Sequence, residues 1–434
     1  MTRDSAAQNR RQLLKGLAGS GTVLLAGCLG QDGGGGGGGG NQSTTLKFVY
    51  PGYYSADAKD LLPMFDEQSK NLTVDGQKTP AESASTRKYY VNQFISQSSA
   101  FDVGMMDVVW PAEFAQNKWA APVEDPENLT EKMLETPVEA VTIDGTLYGM
   151  PLFTDANALY YRSDLLKQHG YDEPPKTEME LVNMAQEITK NSEQDLNGYI
   201  WQGGANEGLT IMWLNWLWGR EGTVDHDGTL VVNTQKGISA LQHAVDLIHK
   251  YNVTPENVPA SSTDQNRKTF QQGNTVFMRN WPYAYALMNK DGSPVKGKFA
   301  VASMPDADGH VGAPNSCLGG WNVFINSYSQ KTDAANQFAS FMASLDAQKN
   351  MALEHSRLPV RKELYAPKYK KKSQALDVFS GIVKETRARP ATPKYSTFSK
   401  IVYTECNKAL VQQKTPKQAL DDAQKQIDSQ VNDA

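Results

Sequence analysis

Cysteine is almost missing from this chain: Cys28, Cys317 and Cys406 are the only three in 434 residues. Thiols so few and so widely spaced exclude a disulfide framework as the source of the fold. No spacing pairs Cys317 with Cys406, and two buried free thiols are the default. Histidine is as sparse, with six, at 169, 226, 243, 249, 310 and 355. None makes a His-x-x-x-His pair, and His243 and His249 fall on different faces of the helix they would share. No close cysteine pair or calcium-loop spacing accompanies them, so no metal is expected. A glycine-rich phosphate loop with a following lysine is also lacking, as is the Gly-x-Ser-x-Gly elbow of a serine hydrolase. Nothing repeats at a fixed period. No cofactor is called for, and no residue is singled out as catalytic.

Positive charge is in deficit too: 43 Lys and Arg stand against 48 Asp and Glu, a formal net charge of -5. The first 27 residues hold Arg3, Arg10, Arg11 and Lys15 against Asp4, so the remainder is near -8 by the same convention. A surface that tracks a phosphate backbone needs a basic stripe, so nucleic acid is not the expected partner. An apolar fraction of 39% and a charged fraction of 21% describe a soluble body, ample for two ordinary domains beyond residue 43.

What is present begins at the N-terminus. Asn9-Arg10-Arg11-Gln12-Leu13-Leu14-Lys15 is followed by a weakly apolar stretch, 16–25, and then Leu25-Ala26-Gly27-Cys28. The stretch is too short and mild for a spanning helix, which needs about 20 apolar residues. The pattern resembles a twin-arginine export signal joined to a lipobox, which implies that residues 1–27 are removed and Cys28 carries a lipid. An unbroken run of eight glycines follows at 33–40. Such a run resists ordering and makes 28–43 a flexible tether. The expected location is extracytoplasmic, on the membrane through the lipid.

Beyond the tether, Thr45-Leu46-Lys47-Phe48-Val49-Tyr50 alternates as a strand and Pro51-Gly52 ends it. Ser55 or Asp57 then caps a helix with Leu61, Leu62 and Phe65 inward. A second helix runs through Tyr89, Tyr90, Phe94 and Ile95, and Phe101-Asp102-Val103-Gly104-Met105-Met106 is a buried strand stopping at Asp107. Strand, helix, helix, strand opens an α/β layer with a largely parallel sheet, whose ligand-facing residues collect at strand C-termini. Leu147 to Leu152 and Leu159-Tyr160-Tyr161 are further strands. So are Val276-Phe277-Met278, Phe299-Ala300-Val301 and Val323-Phe324-Ile325. Capping boxes start helices at Thr177 with Glu180 and at Thr415 with Gln418. Leu209 to Trp218 is apolar on every side and reads as a buried helix.

Several blocks closely resemble the sugar-binding family of extracellular solute-binding proteins that serve ABC importers, nearest the trehalose/maltose branch. The strongest is Pro151-Leu152-Phe153-Thr154-Asp155-Ala156-Asn157-Ala158-Leu159-Tyr160-Tyr161-Arg162-Ser163-Asp164-Leu165-Leu166, with Arg162 where many relatives carry Asn or Asp. Four others agree: Asp102 to Trp110, Arg279-Asn280-Trp281-Pro282-Tyr283-Ala284-Tyr285, Leu318-Gly319-Gly320-Trp321, and Arg387-Ala388-Arg389-Pro390. The resemblance implies two discontinuous α/β lobes joined by a hinge, as in maltose-binding protein, with ligand enclosed between them. It places 44–155 and 297–344 in the first lobe and 156–296 and 345–434 in the second.

A sugar shows hydroxyls at its rim and C–H patches on its faces, so its site needs charged groups for one and flat rings for the other. By resemblance the rings are Trp281 and Tyr283 of the second lobe and Trp321 in a glycine-flanked turn, with Gly320 permitting close approach. Asp107 and Asp155 end strand-like runs and match carboxylates that grip hydroxyls. Arg87 and Arg389 are the donors. Tyr53 stands where the branch has an acidic residue and Phe153 where a tyrosine would serve, two departures that bear on the choice of sugar.

The resemblance implies a monomeric receptor for a disaccharide or short oligosaccharide, handing it to ABC permease subunits. Two alternatives remain: a secreted glycoside hydrolase, which needs paired carboxylates on facing walls, and a surface adhesin, which needs no enclosed ligand. Against the hydrolase stands the expectation that no carboxylate has the apolar surroundings of a general acid.

Overall fold

The computed structural model describes residues 43–433 except 311, 313 and 314. The export segment, Cys28 and nearly all of the tether lie outside the described residues. In chain order the strands are β1 (Thr44–Pro51), β2 (Leu72–Thr79), β3 (Val103–Asp107) and β4 (Ala120–Ala121). A ribbon of β5 (Thr142–Ile143) and β6 (Thr146–Leu147) precedes β7 (Met150–Ala156), β8 (Ala158–Tyr161) and β9 (Asn197–Ile200). A second ribbon, β10 (Asp225–His226) with β11 (Thr229–Leu230), precedes β12 (Thr275–Asn280), β13 (Ala300–Ala302), β14 (Ser316–Asn326) and β15 (Thr386–Arg387).

The first lobe is built on one seven-stranded sheet ordered β15-β14-β3-β1-β2, with β4 and β7 also on β14. Parallel pairing of β1 with both β2 and β3 requires helical crossovers, supplied by Ser55–Gln68 and Ser83–Ile95. Helices on the sheet leave β1 and β3 enclosed, which is why Phe48, Val49, Val103 and Met105 are fully buried. Its core is aromatic: Tyr90 meets Phe324 edge-on at 5.1 Å, and Phe94 and Phe114 pack edge-on at 5.3 Å. β2 escaped the sequence reading because Leu-Thr-Val-Asp-Gly-Gln-Lys-Thr carries little apolar signal. It is the sheet's edge, where polar side chains guard open backbone groups.

The second lobe centres on a four-stranded sheet, β13-β8-β12-β9. Helix Glu207–Gly219 is buried on every side, its Trp213 Nε1 donating to the Gly237 carbonyl at 3.0 Å. Helices Tyr395–Leu410 and Pro416–Ile427 close the same core. The capping boxes at Thr177 and Thr415 both form. Cys317 and Cys406 are buried free thiols. No helix among the described residues is long and apolar enough to cross a membrane.

Two lobe boundaries differ from expectation. β13 pairs with β8 in the second sheet, so 297–302 belongs to the second lobe and the chain returns to the first only at β14. A three-residue apolar run such as Ala300–Ala302 carries no mark of which sheet it will join. Ala347, Met351 and Val360 lie in the first lobe's core, so that lobe continues well past residue 344. Asp57 is not a helix cap either: it is 1% exposed and held by Arg357.

Candidate ligand-binding site

The middle of β14 organises the site. It lies between β3 and β7, with Trp321 opposite Asp107 on one side and Gly319 opposite Asp155 on the other. Residues paired across strands, and those two apart along a strand, share a face. Asp107, Trp321, Gly319 and Asp155 therefore line one surface, and Phe153 joins it from β7. Gly319-Gly320-Trp321 is thus strand and not a turn, a correction to the sequence reading. Gly320 has φ +131°, and a Cβ there would come 2.4 Å from the Phe153 carbonyl oxygen. Its missing side chain serves the close approach of β7, not a ligand.

The second lobe meets this surface through Trp281, which follows β12. A Cβ on Gly319 would lie 2.8 Å from the Trp281 ring and 3.0 Å from the Asp155 Cβ. Trp281 is half-buried and stacks on the Arg279 guanidinium at 4.2 Å. Arg279 itself is fully buried, donating through Nη1 to Gln202 at 2.8 Å, and desolvation lowers its pKa to about 10.

Asp107 accepts from Ser83 Oγ at 2.9 Å and from the Val109 amide at 3.3 Å, and Arg389 Nη2 stands 3.5 Å away. Burial pushes its carboxyl above the ordinary range, with Arg389 and the two hydrogen bonds pulling it back. From its proline-rich loop, Arg389 also donates through Nη1 to Glu207 at 2.7 Å. Tyr395 holds the same Glu207 oxygen at 2.6 Å. Arg389 thus joins the end of β3 in the first lobe to the start of a helix in the second.

Asp155 is different. Among the described residues no hydrogen bond or ion pair engages its carboxylate. Burial raises its pKa from 3.8 to about 7, opposed by Arg357 and Arg279 and reinforced by Asp107 and Asp57. The expectation that no carboxylate has a general acid's surroundings is therefore wrong for Asp155, since enclosure by the fold replaces the local apolar sequence that was sought.

Aromatic rings cover the remaining wall. Tyr53 is 36% exposed and meets Trp321 edge-on at 5.9 Å. Trp321 is only 7% exposed and also touches Trp110 edge-on at 5.4 Å, so it backs the wall more than it faces the cleft. Phe153 is 2% exposed, stacked on Tyr54 at 6.1 Å and covered by Arg357 at 5.0 Å, which removes it from direct contact.

Two expected residues stand apart. Arg87 is bound bidentately by Glu113 through Nε, at 2.9 Å, and Nη2, and among the described residues no hydrogen bond joins it to either cleft carboxylate. Tyr283 is half-buried beside Asp264 and Arg267, its phenol pushed up by burial, and among the described residues no hydrogen bond joins it to either cleft carboxylate. Three contributors were missed: Arg357, Asp57 and Glu207. Only folding reveals the first pair, which lies 300 residues apart in sequence. Glu207 had a signal, an acid opening a helix after the N-cap Asn206. No group of three or more metal-ligating side chains occurs among the described residues.

Two α/β lobes, joined by several chain crossings and meeting over paired carboxylates, arginines and rings, define a bilobal solute-binding protein. The model of the bacterial extracellular solute-binding protein family matches residues 38–349, and the chain belongs to that family. A probable ABC transporter-binding protein of Deinococcus radiodurans is 36% identical over 78% of this chain and 83% of its own. Maltose-bound T. maritima MalE3 has a TM-score of 0.83 at 35% identity, covering 89% of this chain and 100% of that one. An ABC transporter solute-binding protein of Thermotoga lettingae, bound with α-D-tagatose, has a TM-score of 0.79 at 25% identity, covering 89% and 99%.

Proposed function

We propose that the chain is a sugar receptor that binds a disaccharide such as maltose or trehalose between its lobes and delivers it to an ABC permease without altering it. The observation that carries this reading is the unengaged Asp155 carboxylate beside Trp281 and Arg357, an acceptor, a ring and a donor around one place. Hydroxyls bound to an ionised carboxylate gain more than neutral pairs do. Similarity to a maltose-bound structure supports a disaccharide, and the tagatose-bound structure makes a monosaccharide the rival size. Calorimetric titration with maltose, trehalose, sucrose, glucose, maltotriose and tagatose tests it. Saturable binding of a disaccharide, tighter than of any monosaccharide, is the expected result, and no binding of any of them sinks the reading.

Tethering belongs to the same proposal. Cys28 carries the lipid, and Cys28→Ser should free the protein from the membrane fraction. Equal membrane retention of the variant and the parent would remove the anchor. A glycoside hydrolase is the second reading, favoured by one observation, the raised pKa of Asp155 near Asp107. Prolonged incubation with maltose decides between them: glucose that appears with the parent and not with Asp155→Asn would make the protein an enzyme.

A further inference from the structure

The cleft holds a donor and an acceptor that feel each other's charge but form no hydrogen bond or ion pair with each other. Arg357 reaches the site from the stretch between helix Leu345–Glu354 and Val360, and its guanidinium is locked on most sides. Asp57 accepts from Nε at 2.9 Å and from Nη2 at 2.8 Å. Tyr53, Tyr54 and Phe153 surround it with ring centroids at 5.4, 5.6 and 5.0 Å. Nη1 alone has no partner among the described residues, and it is not one of the sealed, unsatisfied polar atoms. On the other side Asp155 feels the positive charge of Arg357, yet no ion pair forms between them.

An unpartnered N–H and an unengaged carboxylate in one neighbourhood suit a group that accepts and donates at once. A hydroxyl does both. A ligand carboxylate would accept from Arg357 but meet the charge of Asp155. A ligand ammonium would donate to Asp155 but meet the charge of Arg357. We propose that Arg357, through Nη1, contacts the ligand directly and, with Asp155, grips one sugar hydroxyl, so that the pair selects neutral polyhydroxy ligands over amino acids and other charged solutes. The proposal rests on the sugar reading above and adds to it a specificity-determining residue. The Asp57 clamp and the three rings hold the guanidinium in place beforehand, so little side-chain freedom is lost on binding.

The test uses the full chain and maltose as probe. Removing both members of the buried pair avoids stranding a charge, so Asp57→Asn/Arg357→Met is the informative variant. Its maltose Kd should rise at least 10-fold by calorimetry while its Tm stays near the parent's. Arg357→Lys keeps the charge beside Asp57 but loses the planar fork, and it should also bind at least 10-fold more weakly. A co-crystal of the parent with maltose gives a readout that needs no variant to fold: one sugar hydroxyl should lie within about 3.2 Å of both Arg357 Nη1 and Asp155. If the parent binds maltose and no sugar oxygen reaches Arg357, or if both variants keep the parent's Kd, this inference falls and the sugar reading stands. If the parent binds glutamate or lysine and none of the sugars, the sugar reading falls and takes this inference with it.

Discussion

Trp281 of the second lobe lies so close to Gly319 of the first that a single added methyl group would come 2.8 Å from its ring. The indole is stacked on the buried Arg279 guanidinium at 4.2 Å, and the Asp155 Cβ crowds the same spot at 3.0 Å. The closed arrangement therefore depends on a missing side chain. Gly319→Ala should weaken sugar binding by about 1–3 kcal/mol, the usual cost of overpacking. Gly381 is the control: nothing lies within 4 Å of a Cβ there, and it sits inside a helix. Gly381→Ala should leave affinity unchanged and raise stability by about 0.5–1 kcal/mol through helix propensity. Calorimetry and thermal unfolding of the two variants check both halves.

Asp155 sets a pH dependence whose sign follows from its environment. Its folded pKa, about 7, lies above the ordinary 3.8. Between those values the folded state holds a proton that the unfolded state has released, so stability falls as pH rises from about 4 to about 7. Asp155→Asn removes that cost and should stabilise the empty protein by about 1–3 kcal/mol at pH 8, with little gain at pH 4. Sugar affinity should move the other way. Only the ionised carboxylate is a full acceptor, so parent binding should weaken as pH falls below 7, and Asp155→Asn should cost about 2–4 kcal/mol of affinity at pH 8. A parent Kd that is flat from pH 5.5 to 8.5 would contradict this role.

Strand-end carboxylates were the legible part of the candidate site. Asp107 and Asp155 could be found because each closes a short apolar run, and the sheet topology then did the rest. Trp321 was misplaced because Gly319 and Gly320 look like a turn in sequence, whereas their missing side chains admit Trp281 and β7 to a continuous strand. Arg357 was invisible, since nothing local distinguishes an arginine destined to meet Asp57 across 300 residues. The ion pair of Arg87 could not be foreseen, because its partner Glu113 lies on another helix. Helix signals were read well wherever capping chemistry is local, as at Thr177 and Thr415.

Two tryptophans should separate folding from binding. Trp213 is fully buried in the second lobe's core and hydrogen-bonded to Gly237. Trp213→Ala should cost about 3–5 kcal/mol of stability and leave the Kd of the folded fraction within about twofold. Trp321 backs Tyr53 and packs on Trp110, so Trp321→Ala should lower stability and also cost more than about 2 kcal/mol of affinity. Unchanged binding of every tested sugar by the Trp321 variant would strip the aromatic wall of its assigned role.

Arg389 is the arginine whose loss should show a pH signature that a packing defect lacks. It stands between Asp107 at 3.5 Å and Glu207 at 2.7 Å, one from each lobe. It is the largest influence holding the Asp107 pKa down against burial. Arg389→Met keeps much of the side chain's bulk but leaves two carboxylates facing each other without a counter-charge. At pH 8 the variant should lose about 3–5 kcal/mol of stability, the usual cost of breaking a buried pair on one side. As pH falls, the variant's Asp107 takes up a proton at a higher pH than the parent's, because the guanidinium that opposed protonation is gone. The deficit should therefore shrink steadily towards pH 5, as protonation of Asp107 removes the unopposed charge. Trp213→Ala, which removes apolar contacts alone, should show the same deficit at both ends of that range. Thermal unfolding of the two variants from pH 5 to pH 8 makes the comparison, and a deficit for Arg389→Met that does not change with pH would mean that Arg389 acts by packing and not by joining the carboxylates of the two lobes.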